Sequence, residues 1–320
     1  MHRPRYQDCP HGITTLDAEY CSHGIAAIHL IVERGRAAFL DTGTTHSLPL
    51  ALALLDEKGL APEAVDYVMV THVHLDHAGG AGAMMRAFPN ARLVVHPRGA
   101  RHMVDPSKLI AGTVAVYGEA RTRALYGEIL PVPAERVIEA GEGFALDWKE
   151  RQFRFLDTPG HATHHYCLWD ESRRVLFSGD TLGISYRLFD SDRGPFLMPT
   201  TTPVQFDPAA LHASIERLMA LDPERIYLTH FGGISPARTH IADLHRRVDD
   251  FVALARAADG RDDRHEALVN SMSDYLWAEI RVHGATVEER SARAWLRNDC
   301  ELNAQGLQVW LERNRKPAER

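Results

Sequence analysis

The amino-acid sequence predicts an α/β fold: a four-layer αββα sandwich of two mixed β-sheets, followed by a C-terminal helical extension. Two patterns lead to this reading. Each half of the first 240 residues alternates apolar strand hairpins with amphipathic helices, so the second half repeats the first in outline. Beyond Pro236 the apolar residues Ile241, Leu244, Val248, Phe251, Val252 and Ala255 fall at helical spacing. Composition agrees, because 320 residues with 45% hydrophobic and 25% charged side chains can close one large core and carry a smaller appendage.

Taken in order, the apolar segments IAAIHLIV and AAFLD between Gly24 and Asp41, parted by a turn at Glu33 to Gly35, read as a hairpin of buried strands. A helix follows, with Ser47 as its expected cap, Leu48, Leu50, Leu52, Leu54 and Leu55 as its apolar residues, and Gly59 as its end. Tyr67 to Val70 reads as a strand, about 78–88 as a helix and Arg92 to His96 as a strand. Residues from about 98 to 135 lack clean periodicity but carry Met103, Leu109, Ile110, Val114, Tyr117, Leu125, Tyr126 and Ile129. They read as an insertion over one face, either a lid over a pocket or a helical decoration that packs. In the second half, strands are expected near 143–147, 151–156, 165–169 and 174–178, a helix over 207–221 and a strand from Arg225 to Thr229. The expected division is a catalytic domain over 1–240 and a helical subdomain over 241–320.

Lys and Arg number 36 against 43 Asp and Glu, a net charge of −7, so the basic surface that binds phosphate backbones is missing and nucleic acid is not an expected partner. Cys9, Cys21, Cys167 and Cys300 are scattered, which indicates neither a thiolate zinc site nor a disulfide framework. With no run of 18 apolar residues and no apolar signal core at the N-terminus, the expectation is a cytoplasmic protein without membrane contact, acting on a small molecule. A homodimer is left open. Nineteen histidines direct attention to nitrogen and oxygen metal ligation.

They concentrate in Thr71-His72-Val73-His74-Leu75-Asp76-His77-Ala78-Gly79-Gly80, directly after an apolar strand. In an extended strand end, alternation points His72 and His74 to one side, while the turn into the next helix brings Asp76 and His77 around a neighbouring point. One loop can then serve two metal ions. Imidazole and carboxylate together suit zinc first, and also iron or manganese, while leaving positions open for water and substrate.

This HxHxDH run resembles the hallmark of the metallo-β-lactamase fold superfamily. Three further segments match the family's motifs in order: Thr158-Pro159-Gly160-His161, Ser178-Gly179-Asp180-Thr181, and Leu228-Thr229-His230, with Asp41-Thr42-Gly43 similar to its DTG turn. The resemblance covers about residues 13–240 and implies two divalent cations. One would be held by His72, His74 and His161, the other by Asp76, His77 and His230, with Asp180 bridging both. It gives Asp41 a structural part, and places His164 and His165 beside the ligands or on the strand surface.

The implied chemistry is metal-assisted hydrolysis, in which a metal-bridging hydroxide attacks an ester, lactone or thioester carbonyl and the cations stabilise the oxyanion. Asp76 would ligate, orient the nucleophile and pass a proton to the leaving group. Tyr186, six residues after Asp180, either donates to the substrate carbonyl, as a nearby tyrosine does in lactonases that the chain resembles, or packs. Glyoxalase-II-like thioesterases and lactonases are the nearest branch. Where glyoxalase II continues with a glycine-cysteine-arginine segment for glutathione, this chain reads Gly183-Ile184-Ser185-Tyr186-Arg187, so glutathione thioesters are not the expected substrates. His74 separates the chain from flavodiiron oxygen reductases, which carry glutamate there. Two alternatives stand: a mononuclear iron enzyme like the persulfide dioxygenases of the same fold, with iron on His72, His161 and Asp180, and a non-catalytic ligand-sensing module.

Overall fold

The computed structural model describes residues 3–201, 204–235 and 237–315. Pro236 and the last five residues of the expected C-terminal subdomain lie outside them. The chain forms two compact units, each assembled from separated segments. The first comprises residues 1–157, 164–179 and 223–234, and the second 158–163, 180–222 and 235–320.

Among the described residues, the first unit contains two mixed sheets. One has seven strands in sequence order: β1 (Tyr6–Cys9), β2 (Ile13–Asp17), β3 (Ala27–Glu33), β4 (Arg36–Leu40), β5 (Val65–Met69), β6 (Arg92–Val95) and β7 (Val137–Glu139). It is antiparallel from β1 to β4 and parallel from β4 to β7. The other runs β13-β12-β11-β10-β9-β8, built from β8 (Ala145–Trp148), β9 (Arg151–Asp157), β10 (Tyr166–Asp170), β11 (Val175–Gly179), β12 (Arg225–Leu228) and β13 (Gly232–Ile234). Only its β11–β12 pair is parallel. The expected strands are present, shifted by a residue or two. Short β1, β2, β7 and β13 went unforeseen because their apolar runs are too brief to show a period.

Period-two alternation sorts the first sheet's side chains between two cores. Ile28, Leu30, Ala37, Phe39, Val68 and Leu93 join a cluster with Leu50, Leu54, Met84 and Phe88 from the helices. Their alternates Ile31, Ala38, Leu40, Met69 and Val94 join Phe153, Phe155, Tyr166, Leu168 and Phe177 of the other sheet. Burial on both faces explains why the strands read as continuous apolar runs.

The helices of this unit are α1 (Leu48–Glu57), α2 (Leu75–Ala78), α3 (Ala81–Ala87), α4 (Pro97–Val104), α5 (Ser107–Tyr117) and α6 (Glu119–Tyr126). Ser47 precedes α1 but does not cap it with its side chain. Its hydroxyl donates instead to the Ala18 carbonyl at 2.7 Å and accepts from the Thr44 amide, and Thr44 caps a preceding single turn. The helix expected over 78–88 is divided into α2 and α3 at Gly79-Gly80. A Cβ on Gly80 would lie 2.6 Å from the Thr44 carbonyl oxygen and 2.8 Å from that of Thr42, so only glycine admits the 42–44 backbone here. The 98–135 segment is largely helical, containing α4, α5 and α6.

In the second unit, α7 (Pro208–Met219) is capped by Asp207, whose carboxylate accepts from the Ala210 amide at 3.0 Å. Three long helices follow: α8 (Arg238–Ala258), α9 (Arg264–His283) and α10 (Glu289–Asn314). The expected stripe on α8 is buried at Leu244, Val248, Phe251, Val252 and Ala255. Arg247 lies over the Phe196 ring, donates to the Leu197 carbonyl at 2.7 Å and pairs with Glu279 of α9 at 3.0 Å. Among the described residues no helix is long and apolar enough to cross a membrane.

Two buried polar ties join the sheets of the first unit. Arg151 of β9 pairs with Asp170 at 2.6 Å and with Glu33 of β3 at 2.9 Å. His29 of β3 packs against Phe177 and Tyr227, and its Nε2–H donates to the Leu228 carbonyl at 3.1 Å. Burial lowers the His29 pKa to about 4, against an ordinary value of 6.5. Below pH 6.5 the unfolded chain therefore takes up a proton that the folded chain refuses, and stability falls as pH drops toward 4, by about 3 kcal/mol from this residue. His29→Gln keeps a donor and cannot titrate. Urea unfolding at pH 7 and pH 4.5 should show the wild-type protein losing more stability than the variant over that interval, and parallel losses would contradict the assignment.

Candidate metal centre

The candidate metal-ligating residues named from sequence lie at or just beyond the ends of strands, where side chains leave the sheet and backbone can turn. After β5 the chain passes through Val70 and Thr71 into His72, and His74 precedes the short helix α2, which carries Asp76 and His77. This segment is a loop and a helical turn rather than an extended strand end, yet His72 Nε2 lies 2.9 Å from His74 Nδ1 with the rings nearly perpendicular. His230 follows β12.

Within the first unit Asp76, His77 and His230 converge. His77 Nε2 lies 3.1 Å from His230 Nε2, and the Asp76 carboxylate lies 3.3 Å from the first and 3.5 Å from the second. Metal–nitrogen and metal–oxygen bonds of about 2.0–2.1 Å at tetrahedral angles put neighbouring ligand atoms about 3.3 Å apart. This triangle therefore has the dimensions and the donor chemistry of one face of a metal site. Burial alone would raise the Asp76 pKa, but the His77 and His230 rings outweigh it and hold the carboxyl well below its ordinary range. The group is an anion ready to ligate.

The second unit brings His161 and Asp180 together, with His161 Nε2 3.4 Å from a carboxylate oxygen. Both side chains are buried. In the turn that carries His161, Gly160 has φ +131°, and a Cβ there would lie 2.4 Å from the backbone of Leu211. The glycine of the TPGH motif is thus a packing requirement as well as a turn.

Hydrogen bonds fix the ring orientations. His161 Nδ1–H donates to the Thr200 carbonyl at 3.3 Å and His230 Nδ1–H to the Ile25 carbonyl at 2.7 Å, so in each ring Nε2 is the nitrogen left to face the candidate site. Asp41 supports the loop from beneath. Wholly buried, it accepts from the Thr71 amide at 2.8 Å, from the Thr71 hydroxyl at 3.0 Å and from the Thr229 hydroxyl at 3.1 Å. The Thr71 hydroxyl lies 3.1 Å from His72 Nδ1 and can accept its proton, completing a chain from ring to hydroxyl to carboxylate. Burial raises the Asp41 pKa to about 6, against the opposing influence of His77 and the threonine donors. Sequence reasoning passed over both threonines. Their signal was a Thr-His pair close behind an apolar strand, at 71–72 and again at 229–230.

His165 is buried with its ring 5.0 Å from that of His72, and His164 accepts from the Val73 amide at 3.5 Å. Tyr186 is buried in the second unit, where its hydroxyl donates to Asp299 of α10 at 3.0 Å and its ring meets Trp295 edge-on.

The family model of the metallo-beta-lactamase superfamily matches residues 23–230. The chain is 25% identical to a metallo-beta-lactamase fold-containing protein of Sulfurisphaera tokodaii over 66% of its own length and 75% of the relative. It is 28% identical to the hydroxyacylglutathione hydrolase of Aeromonas hydrophila over 63% of its length, and that match spans 60% of the hydrolase. An archaeal metallo-beta-lactamase superfamily protein from Sulfolobus tokodaii shares the fold with a TM-score of 0.64 at 21% identity, over 94% of this chain and 99% of that one.

Thr71→Val removes the hydroxyl between His72 and Asp41 while keeping the backbone donor. Competition with a chelator should show metal affinity reduced about tenfold or more with the fold retained; unchanged affinity would show that the chain of hydrogen bonds does not tune the site.

Proposed function

The chain belongs to the metallo-β-lactamase superfamily, and from that premise we propose that it is a dinuclear metal-dependent hydrolase of esters, lactones or thioesters. The observation that carries this reading is the Asp76, His77 and His230 triangle, whose edges of 3.1, 3.3 and 3.5 Å match neighbouring ligand positions around one cation. His72, His74 and His161 would hold the second cation, and Asp180 would bridge the two. Zinc suits this nitrogen and oxygen set, as do iron and manganese.

When bound, the cations supply a water of lowered pKa and Lewis-acid stabilisation of the charge that builds on the carbonyl oxygen. The residues do the rest. His161 and His230 present Nε2 because Thr200 and Ile25 occupy their other nitrogens. Asp76, with about a quarter of its side chain exposed, would orient the nucleophile and pass a proton to the leaving alkoxide or thiolate. Tyr186 is the proposed donor to the substrate carbonyl, a role that requires its hydroxyl to leave Asp299. The hydroxyacylglutathione hydrolase relative acts on a thioester by its name, which supports the reaction class. The Gly183-Ile184-Ser185-Tyr186-Arg187 segment argues against glutathione as the carrier.

Elemental analysis of protein purified without added metal or chelator should give close to two equivalents of zinc or manganese, and a panel of lactones and thioesters should find turnover. About one equivalent of iron with oxygen uptake on persulfides would overturn the reading. Asp180→Ala should lose metal and hydrolysis together, His165→Ala far less of either than His161→Ala; full activity in Asp180→Ala would defeat the site. Tyr186→Phe should lower kcat with metal content intact, and an unchanged kcat would remove this residue from the mechanism.

A further inference from the structure

Three tyrosines gather beside the loop that carries Asp76, all within the first unit. Tyr20 and Tyr126 stack with ring centroids 5.7 Å apart and their hydroxyls 3.0 Å from one another. Tyr117, at the end of α5, joins them through its side-chain interaction with Tyr126. They come from a loop before β3 and from two helices of the 98–135 insertion, yet one turn, residues 42–47, secures both sources to the metal-binding loop. The Ser47 hydroxyl donates to Ala18, two residues from Tyr20. The Thr45 hydroxyl donates to the Glu128 carbonyl at 2.7 Å, two residues past Tyr126, and lies 3.4 Å from the Gly79 carbonyl, just beyond α2. The Thr42 amide donates to the His77 carbonyl at 2.7 Å. Burial raises all three phenol pKa values and, next in size, so does the charge of Asp76, which places the phenols within its electrostatic reach.

Helix α5 extends this surface. It is apolar along its length, with Leu109, Ile110, Val114 and Tyr117 half-buried on one side, and none of its residues is fully buried. A helix with such a half-buried side has apolar area to offer a ligand.

We propose that Tyr20, Tyr117 and Tyr126, with the half-buried side of α5, form the wall that receives the acyl group of the substrate and selects an aromatic or extended apolar acyl group over a small one. This rests on the hydrolase reading above. Phenol rings give large, stiff contact area with few rotors to freeze, so they discriminate by ring contact at small entropic cost. The interlinked hydroxyls hold the rings in place.

The test uses the metal-loaded protein with the S-acetyl and S-benzoyl thioesters of N-acetylcysteamine, and calorimetric binding of acetate and benzoate. The wild-type protein should favour benzoyl over acetyl in kcat/KM. That ratio should fall about tenfold in Tyr117→Ala and remain in Tyr117→Phe, with metal content as the check on folding. Tyr20→Ala supplies a second variant should the first fail to fold. A ratio unchanged in both alanine variants overturns the wall. If neither thioester is hydrolysed, thioesters leave the substrate range of the hydrolase reading, which then stands or falls on metal content and the lactone panel, and the carboxylates decide the wall. Benzoate binding more tightly than acetate, with the difference lost in Tyr117→Ala, upholds it; equal binding of the two by the wild-type protein overturns it.

Discussion

The buried carboxylate of Asp41 is the constraint on which the first unit's share of the candidate centre depends. It sits at a left-handed position after β4, φ +59°, a conformation aspartate tolerates better than most residues. From there it accepts from Thr71 after β5 and from Thr229 after β12, joining the ends of strands in two different sheets. Each threonine is followed by a candidate ligand, His72 or His230. A charge with no water around it is costly unless hydrogen-bonded, so the carboxylate holds the two strand ends at fixed separation. The geometry of the histidines is in this sense the solvation shell of Asp41.

The rest of the unit serves the same end by packing. Alternation along β3 to β6 fills one core against the helices and another against the second sheet, so register cannot slip without moving every side chain to the wrong face. Arg151 and His29 tie the sheets through polar contacts inside that apolar layer. A one-residue slip would displace Thr71 and Thr229 together with the histidines that follow them. The motif glycine Gly80 then lets backbone approach backbone against residues 42–44, and within the second unit Gly160 does the same against Leu211.

Much of the fold was legible in sequence because its signals are strong. Apolar runs bounded by Gly or charged turns marked β3, β4, β9, β10 and β11, and a clean stripe marked α8. The strands that escaped, β1, β2, β7 and β13, are three to five residues long and carry polar or glycine positions. Ser47 was legible as a helix-start residue, but which backbone groups its hydroxyl would meet depends on Ala18, far away in sequence.

For the candidate centre, the sequence by itself determined the candidate ligand types and their order, histidine and aspartate at set spacings after apolar strands. It also determined that the second half repeats the strand-and-helix outline of the first. Only the tertiary structure decided which nitrogen each ring presents, because that depends on carbonyls such as Ile25 that are near His230 in space and 205 residues away in the chain. The same holds for the tyrosines around Asp76. Hydrogen bonds and ring contacts act over a few ångströms, and what lies within a few ångströms is a property of the folded chain.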